Sequence, residues 1–122
     1  MWTYQQSTGN LTDPDGNVTS GGYSGHGDGL NNPAMQDVEG VGPLPQGLYA
    51  IGDPLDPPDH LGPIAMPLTP SPANEMFGRS AFFIHGDNAE MNHSASDGCI
   101  IQPHNIRTVI ANSLDRTLTV IA

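Results

Sequence analysis

The chain contains no lysine. Its side-chain cations at neutral pH are Arg79, Arg107 and Arg116, set against thirteen acids for a formal charge of -10. Displacing counterions from a polyanion takes clustered cations, so a nucleic-acid partner is excluded. Attraction to an anionic membrane surface fails for the same reason. The acidic balance is of the kind that keeps a protein soluble and monomeric. Cysteine is almost as scarce: with Cys99 alone no internal disulfide can form, which leaves packing or chemistry to account for the residue. No apolar run approaches the ~20 residues of a transmembrane helix. The stretch from Met1 to Ser7 has neither the basic nor the apolar region of a secretory signal, so the expectation is a protein made in the cytoplasm without a signal peptide. A length of 122 residues fits one domain, 1–122, able to bury a core without staples.

Glycine and proline are plentiful and leave little room for helix. Nine of the twelve prolines fall between Pro43 and Pro72, a density that confines strands to sheet edges and short pieces. Leu48, Tyr49, Ile51, Ile64, Met66 and Leu68 still supply the alternation a packed sheet can use. Strands are therefore expected from Gly47 to Gly52 and from Ile64 to Leu68. A central strand from Arg79 to His85 comes next, because Ala81-Phe82-Phe83-Ile84 is continuously apolar. An opening meander covers Trp2 to Gln6 and Val18 to Thr19 around the Asp13-Pro14-Asp15-Gly16-Asn17 turn, and Thr117 to Ile121 closes the fold. Gly21 to Gly29 reads as a loop that could carry Tyr23 or Ser24 past a site. Pro103 opens one helix, running to about Asn112, with Ile106, Val109 and Ile110 on one face. The fold class is mostly β, with one short helix.

The chemistry concentrates in Phe82-Phe83-Ile84-His85-Gly86-Asp87-Asn88 and Ser96-Asp97-Gly98-Cys99-Ile100-Ile101. The cysteine comes fourteen residues after a histidine that ends an apolar run. A thiol of ordinary pKa near ~8.5 is mostly protonated at neutral pH, and an imidazole within hydrogen-bond reach can take its proton. A free cysteine is often no more than a small buried hydrophobe, but a Ser-Asp-Gly turn exposes the next residue and favours a catalytic thiol. The order, histidine before cysteine, fits papain-type peptidases poorly.

These residues resemble a known family. His85-Gly86 with Ser96-x-Gly98-Cys99 resembles the signature of YkuD-type L,D-transpeptidases, in which a His-Gly pair precedes a Ser/Thr-His-Gly-Cys turn. Gly42-Pro43-Leu44-Pro45-Gln46-Gly47-Leu48-Tyr49-Ala50-Ile51 resembles the strand that opens the catalytic half of those domains. With Tyr23-Ser24-Gly25, Arg79 to His85 and Leu118-Thr119-Val120, the pattern from about Trp2 to Ile121 is similar to the compact branch delivered by type VI secretion systems.

The resemblance implies a compact β-sandwich or barrel of the L,D-transpeptidase kind. It implies Cys99 as nucleophile, His85 as base, a Gly86 carbonyl that orients the imidazole, and no cofactor or metal. Asp87 is near enough in sequence to compete for that orienting role. The substrate would be a peptidoglycan stem peptide, cut between its third residue and D-alanine through a thioester that water or a D-amino acid resolves. A secretion apparatus and a cognate immunity protein are the implied partners, and the periplasm of a target bacterium the implied place of action. Where the broad family has histidine before Gly-Cys, this chain has Asp97, which as a carboxylate cannot donate to an oxyanion. The hole would then rest on the N–H groups of Gly98 and Cys99. For stem carboxylates, Arg107 is the preferred cation over Arg79, which starts the strand that ends in His85 and so lies far from it. Tyr23, Asn88, Ser96 and Asp97 are the other expected substrate contacts, with hydrogen bonding to the turn backbone the alternative role of Asn88 and Ser96.

Two rival readings stand beside this one. His85, Asp87, His93 and Asp97 could gather round zinc, although no familiar metal motif is completed. The fold could also serve a phage or secretion apparatus as a non-enzymatic module. His60, His93 and His104 are expected to be exposed and without a role.

Overall fold

The computed structural model describes residues 1–56 and 61–122; His60 lies outside them. Among the described residues are nine strands and one α-helix: β1 Trp2–Gln5, β2 Leu11–Thr12, β3 Val18–Thr19, β4 Tyr23–Ser24, β5 Gly47–Ile51, β6 Met66–Pro70, β7 Phe82–His85, β8 Ile100–Ile101, α1 His104–Ala111 and β9 Thr117–Ile121. All nine strands join one sheet in the order β3-β2-β1-β9-β5-β6-β7-β8-β4. The sheet curls into a half-barrel, so the mostly β fold expected from the sequence is the one observed. No helix among the described residues is long and apolar enough to cross a membrane.

The sheet's centre arises from alternation. Leu118 and Val120 of β9, Tyr49 and Ile51 of β5, and Trp2 and Tyr4 of β1 all turn inward, as a period of two requires. β1 and β9 pair in parallel while β9 and β5 run antiparallel. Each large apolar side chain so buried contributes about 1.5–3 kcal/mol. α1 closes one side of this core through Ile110, which is fully buried, and Ile106, four residues earlier. Val109, expected on the same face, is exposed; the i, i+4 pair alone faces the sheet.

Four further expectations are corrected. β7 starts at Phe82 rather than Arg79, because Ala81 has a φ of 65° and left-handed backbone cannot continue a strand. β6 starts at Met66 rather than Ile64, whose φ is 55°. β6 also lies inside the sheet, between β5 and β7, despite Pro67 and Pro70. The Pro67 carbonyl accepts from the Gly52 N–H at 2.8 Å, just past the end of β5. Pro70 lies beyond the last β7 partner, Leu68 with Phe82, so both missing N–H groups fall where a ladder has run out. Lastly, the glycine-rich segment is not all loop: Tyr23 and Ser24 pair antiparallel with Ile101 and Ile100 as the sheet's edge strand, and both side chains are buried.

Candidate active site

β7 and β8 are parallel neighbours, with Ile84 opposite Ile100 and His85 opposite Ile101. One residue back along that register Cys99 meets Phe83, whose N–H donates to the cysteine Sγ at 3.3 Å. His85 lies two residues beyond Phe83 and so shares its side of β7. The continuous apolar run and the glycine turn thus place the thiol just before the start of β8 and the imidazole at the end of β7, two register positions further along. The cavities they line are separate. Cys99 borders one of about 310 Å³ with Glu39, Gly40, Arg79, Ser80, Ala81, Phe82 and Asp97. His85 borders one of about 230 Å³ with Leu61, Gly86, Asp87, Asn88 and Ala95.

The imidazole is buried, and its Nδ1 lies 2.8 Å from the Gly86 carbonyl oxygen. A carbonyl only accepts, so the proton is assigned to Nδ1 and Nε2 is the basic nitrogen. Asp87 does not take the orienting role. Its Oδ1 accepts from the Tyr23 hydroxyl at 2.6 Å and from the Asn88 N–H at 2.9 Å.

The cysteine turn is fastened from behind. Ser96 is fully buried; its hydroxyl donates to the Cys99 carbonyl at 2.5 Å and accepts from the Gly25 and Gly98 N–H groups at 2.9 and 3.1 Å. Ser24 donates to the Gly98 carbonyl at 3.0 Å and accepts from the Leu44 N–H at 2.9 Å. The segment around β4 therefore works as a clamp on the turn. Of its two expected roles, Ser96 takes the bonding of the turn backbone, and the Gly98 N–H already has an acceptor. Gly98 has a φ of 134°, and a Cβ there would come within 2.5 Å of Arg79 Nη2 and 2.6 Å of Phe82 Cε1. Both the conformation and the space demand glycine.

Arg79, which the sequence places far off, is at the site. Its buried guanidinium lies 5.2 Å from the Phe82 ring centre. It donates to the carbonyls of Gln36, Pro43, Gly42 and Asp97 at 2.7 to 3.0 Å. Glu39 reaches the same cavity from a loop that no sequence motif marks. Arg107 goes elsewhere: its guanidinium donates to the Gln102 carbonyl at 3.0 Å and to the Pro63 carbonyl, and Nη2 packs where a Cβ on Gly86 would sit 2.7 Å away.

Of the remaining expected contacts, Tyr23 is buried, and its hydroxyl also accepts from the Ala95 N–H at 3.0 Å. Asn88 donates to Ser94 Oγ at 3.0 Å and accepts from the Met91 N–H. Both tie the loop after β7 together. The Asp97 side chain is exposed, with Oδ1 3.5 Å from His26 Nδ1. Burial pushes the Cys99 thiol above its ordinary pKa, and Asp97 adds to that, while the Phe83 N–H and Arg79 pull it back in part. The resting group is therefore the thiol rather than the thiolate. Among the described residues no three of His, Cys, Asp and Glu converge to hold a metal ion. His93 packs edge-on against Tyr23, with ring centres 4.9 Å apart.

Fold and site together define a small β domain that carries one thiol on a glycine turn, clamped beside a strand ending in histidine. The chain belongs to the Tlde1 domain family, a family of type VI secretion effector domains, whose model matches residues 18–121. Membership agrees with the secreted-effector side of the sequence resemblance. No curated protein and no solved structure matches the chain.

Proposed function

We propose that the domain is a cysteine acyl-transfer enzyme acting on peptidoglycan stem peptides, an L,D-carboxypeptidase/L,D-transpeptidase used as an antibacterial effector. The observation that carries this reading is the parallel pairing of β7 with β8, which sets Cys99 beside a strand ending in a histidine whose Nδ1 is held by the Gly86 carbonyl. Membership of a type VI effector family supports the setting.

His85 Nε2 takes the proton of Cys99 as the sulfur attacks the carbonyl carbon between the third stem residue and D-alanine. The C–N bond breaks, the amine leaves with the proton from His85, and a thioester remains. Water resolves it to a shortened stem, and the amine of another D-amino acid resolves it to an exchanged one. Since the pKa of the thiol is raised, ionisation is coupled to substrate binding rather than complete in the resting protein. With the Gly98 N–H bound to Ser96, the oxyanion falls to the Cys99 N–H among the two donors of the turn. Arg79 acts through the turn it holds, as a positioning residue. Delivery through a secretion apparatus into a target periplasm, and an immunity protein in the producer, complete the proposal.

The test is incubation of the purified protein with tetrapeptide muropeptides, with and without a free D-amino acid, read by mass spectrometry. Loss of D-alanine or its replacement is expected, abolished in Cys99→Ala and reduced by several orders of magnitude in His85→Ala. An unchanged spectrum from the folded parent protein would sink the proposal and leave the non-enzymatic module.

A further inference from the structure

β1, β9, β5 and β6 are successive neighbours in the sheet and contain no charged residue, in a chain with thirteen acids and three arginines. Their inward side chains make the core, and their outward ones stand open or half-open. Three rows cross the strands on that outward side. In the first, Thr12, Thr3, Thr119 and Leu48 are register neighbours. The second holds Thr117, Ala50 and Thr69. The third runs from Gly52 through Pro67 and Phe83 to Cys99. There the Gly52 N–H donates to the Pro67 carbonyl at 2.8 Å, Pro67 pairs with Phe83, and the Phe83 N–H donates to Cys99 Sγ. Cross-strand partners share a face, so an uncharged surface leads without a break to the thiol. A groove of about 380 Å³ opens on it, bordered by Leu48, Ala50, Thr69, Ser71 and Thr117.

Threonine dominates the first two rows, so methyl groups and hydroxyls lie side by side with no charge among them. A basic partner finds its acids elsewhere on the molecule. A second copy brings another -10 against the first, which opposes association. An uncharged sugar chain meets neither obstacle: its hydroxyls and amides suit the threonines, and its C–H faces and acetyl methyls suit Leu48 and Ala50. Length agrees as well. β5 lies three strand spacings from β8, about 14 Å. Three extended residues of a stem span at most about 11 Å, and the link to the sugar supplies the rest. We propose that the outward face of β6, β5 and β9 binds the N-acetylated glycan strand from which the stem hangs, and so presents the stem along the Pro67-Phe83 row to Cys99. The choice of polymer rests on the proposed acyl-transfer function; the sugar binding is tested without catalysis.

The probes are glycan strands stripped of their stems and a chitin tetramer, titrated into the full-length Cys99→Ala protein by calorimetry and backbone NMR. Both are expected to bind and to move the signals of Leu48, Ala50, Thr69 and Thr119. Ala50→Asp and Leu48→Asp each set a carboxylate on the open face. Each should keep the parent's Tm as an ordinary surface change does and lose at least about tenfold in glycan affinity, because the new charge is left unpaired beneath a sugar. With Cys99 restored, the ratio of turnover on intact sacculi to turnover on free tetrapeptide should fall by at least about tenfold in both variants. Glycan that fails to bind the folded protein, or that moves signals elsewhere, would overturn the assignment. So would affinity and ratio left intact in the folded variants, or a dimer in light scattering that Ala50→Asp dissolves while glycan has no effect. If glycan binds this face while free tetrapeptide is untouched, the proposed enzyme activity fails and this surface stands; if tetrapeptide turns over and glycan never binds, the reverse holds.

Discussion

Replacing Ser96 by alanine removes one oxygen that serves three hydrogen bonds in a fully buried position. The N–H groups of Gly25 and Gly98 lose their acceptor, and the Cys99 carbonyl loses its donor. Each buried donor left unpaired costs about 1–3 kcal/mol, so with partial relaxation toward water the loss should come to about 2–4 kcal/mol. At ~4 °C per kcal/mol for a domain of this size, the expected fall in Tm is about 8–16 °C. Ser24→Ala is the internal comparison. It strands one donor, the Leu44 N–H, and takes the donor from the Gly98 carbonyl, and should cost about 1–2 kcal/mol. Because both hydroxyls hold Gly98, from its N–H and from its carbonyl, the double variant should lose less than the sum of the two, a coupling of roughly 0.5 kcal/mol or more. Urea unfolding monitored by circular dichroism measures all three variants against the parent. A Ser96→Ala protein within about 0.5 kcal/mol of the parent, the range of an ordinary surface change, would show that the cysteine turn is not built on this oxygen.

Two further outcomes concern the thiol. Asp97→Asn removes a carboxylate that pushes the Cys99 pKa upward, so the midpoint of iodoacetamide alkylation against pH should move down, by less than about one unit because Asp97 is exposed and screened; a midpoint that stays or rises contradicts that electrostatic link. Since burial raises the folded thiol above the unfolded one, the folded state keeps a proton the unfolded chain gives up. Stability should therefore fall as pH rises through the unfolded thiol's titration and level off above the folded pKa. Cys99→Ser, which does not titrate there, should flatten that decline in urea midpoints, and an identical decline in both proteins would refute the shift.

What could be read from the sequence was local. Thr117 to Ile121 alternates cleanly and is the strand β9 to the residue. Pro103 fixes the start of the helix because it suits a helix N-terminus, whereas the two-residue strand β8 and its pairing with β7 have no local signature. What escaped was held by distant partners. β4 has no strand composition, and it pairs because Tyr23 and Ser24 are anchored to Asp87 and Gly98, more than sixty residues away. No local pattern encodes such an anchor. β6 tolerates two prolines inside a sheet only because its neighbours end where those prolines begin, and strand lengths are a property of the assembled sheet.

The arginines show the same limit and explain it. In the sequence Gly86 stands for the carbonyl that the resemblance sets against the imidazole, and Gly98 for a sharp turn and an oxyanion N–H. In the structure each is also a seat for a guanidinium: Arg107 Nη2 fills the space beside Gly86, and Arg79 Nη2 the space beside Gly98. The glycine after His85 and the glycine before Cys99 are thus matched by two buried cations that donate to loop carbonyls. The third, Arg116, donates to Asp53 and to the carbonyls of Gly52 and Ala111. A chain with three side-chain cations and thirteen acids has bound all three to its own backbone carbonyls, and in the wall of the Cys99 cavity Arg79 stands with Glu39 and Asp97. For a carboxylate-bearing substrate, a helix just after the cysteine turn makes Arg107 the expected cation. The same chemistry places that arginine against Gly86, where it supports the loop on one side and borders a cavity of its own on the other.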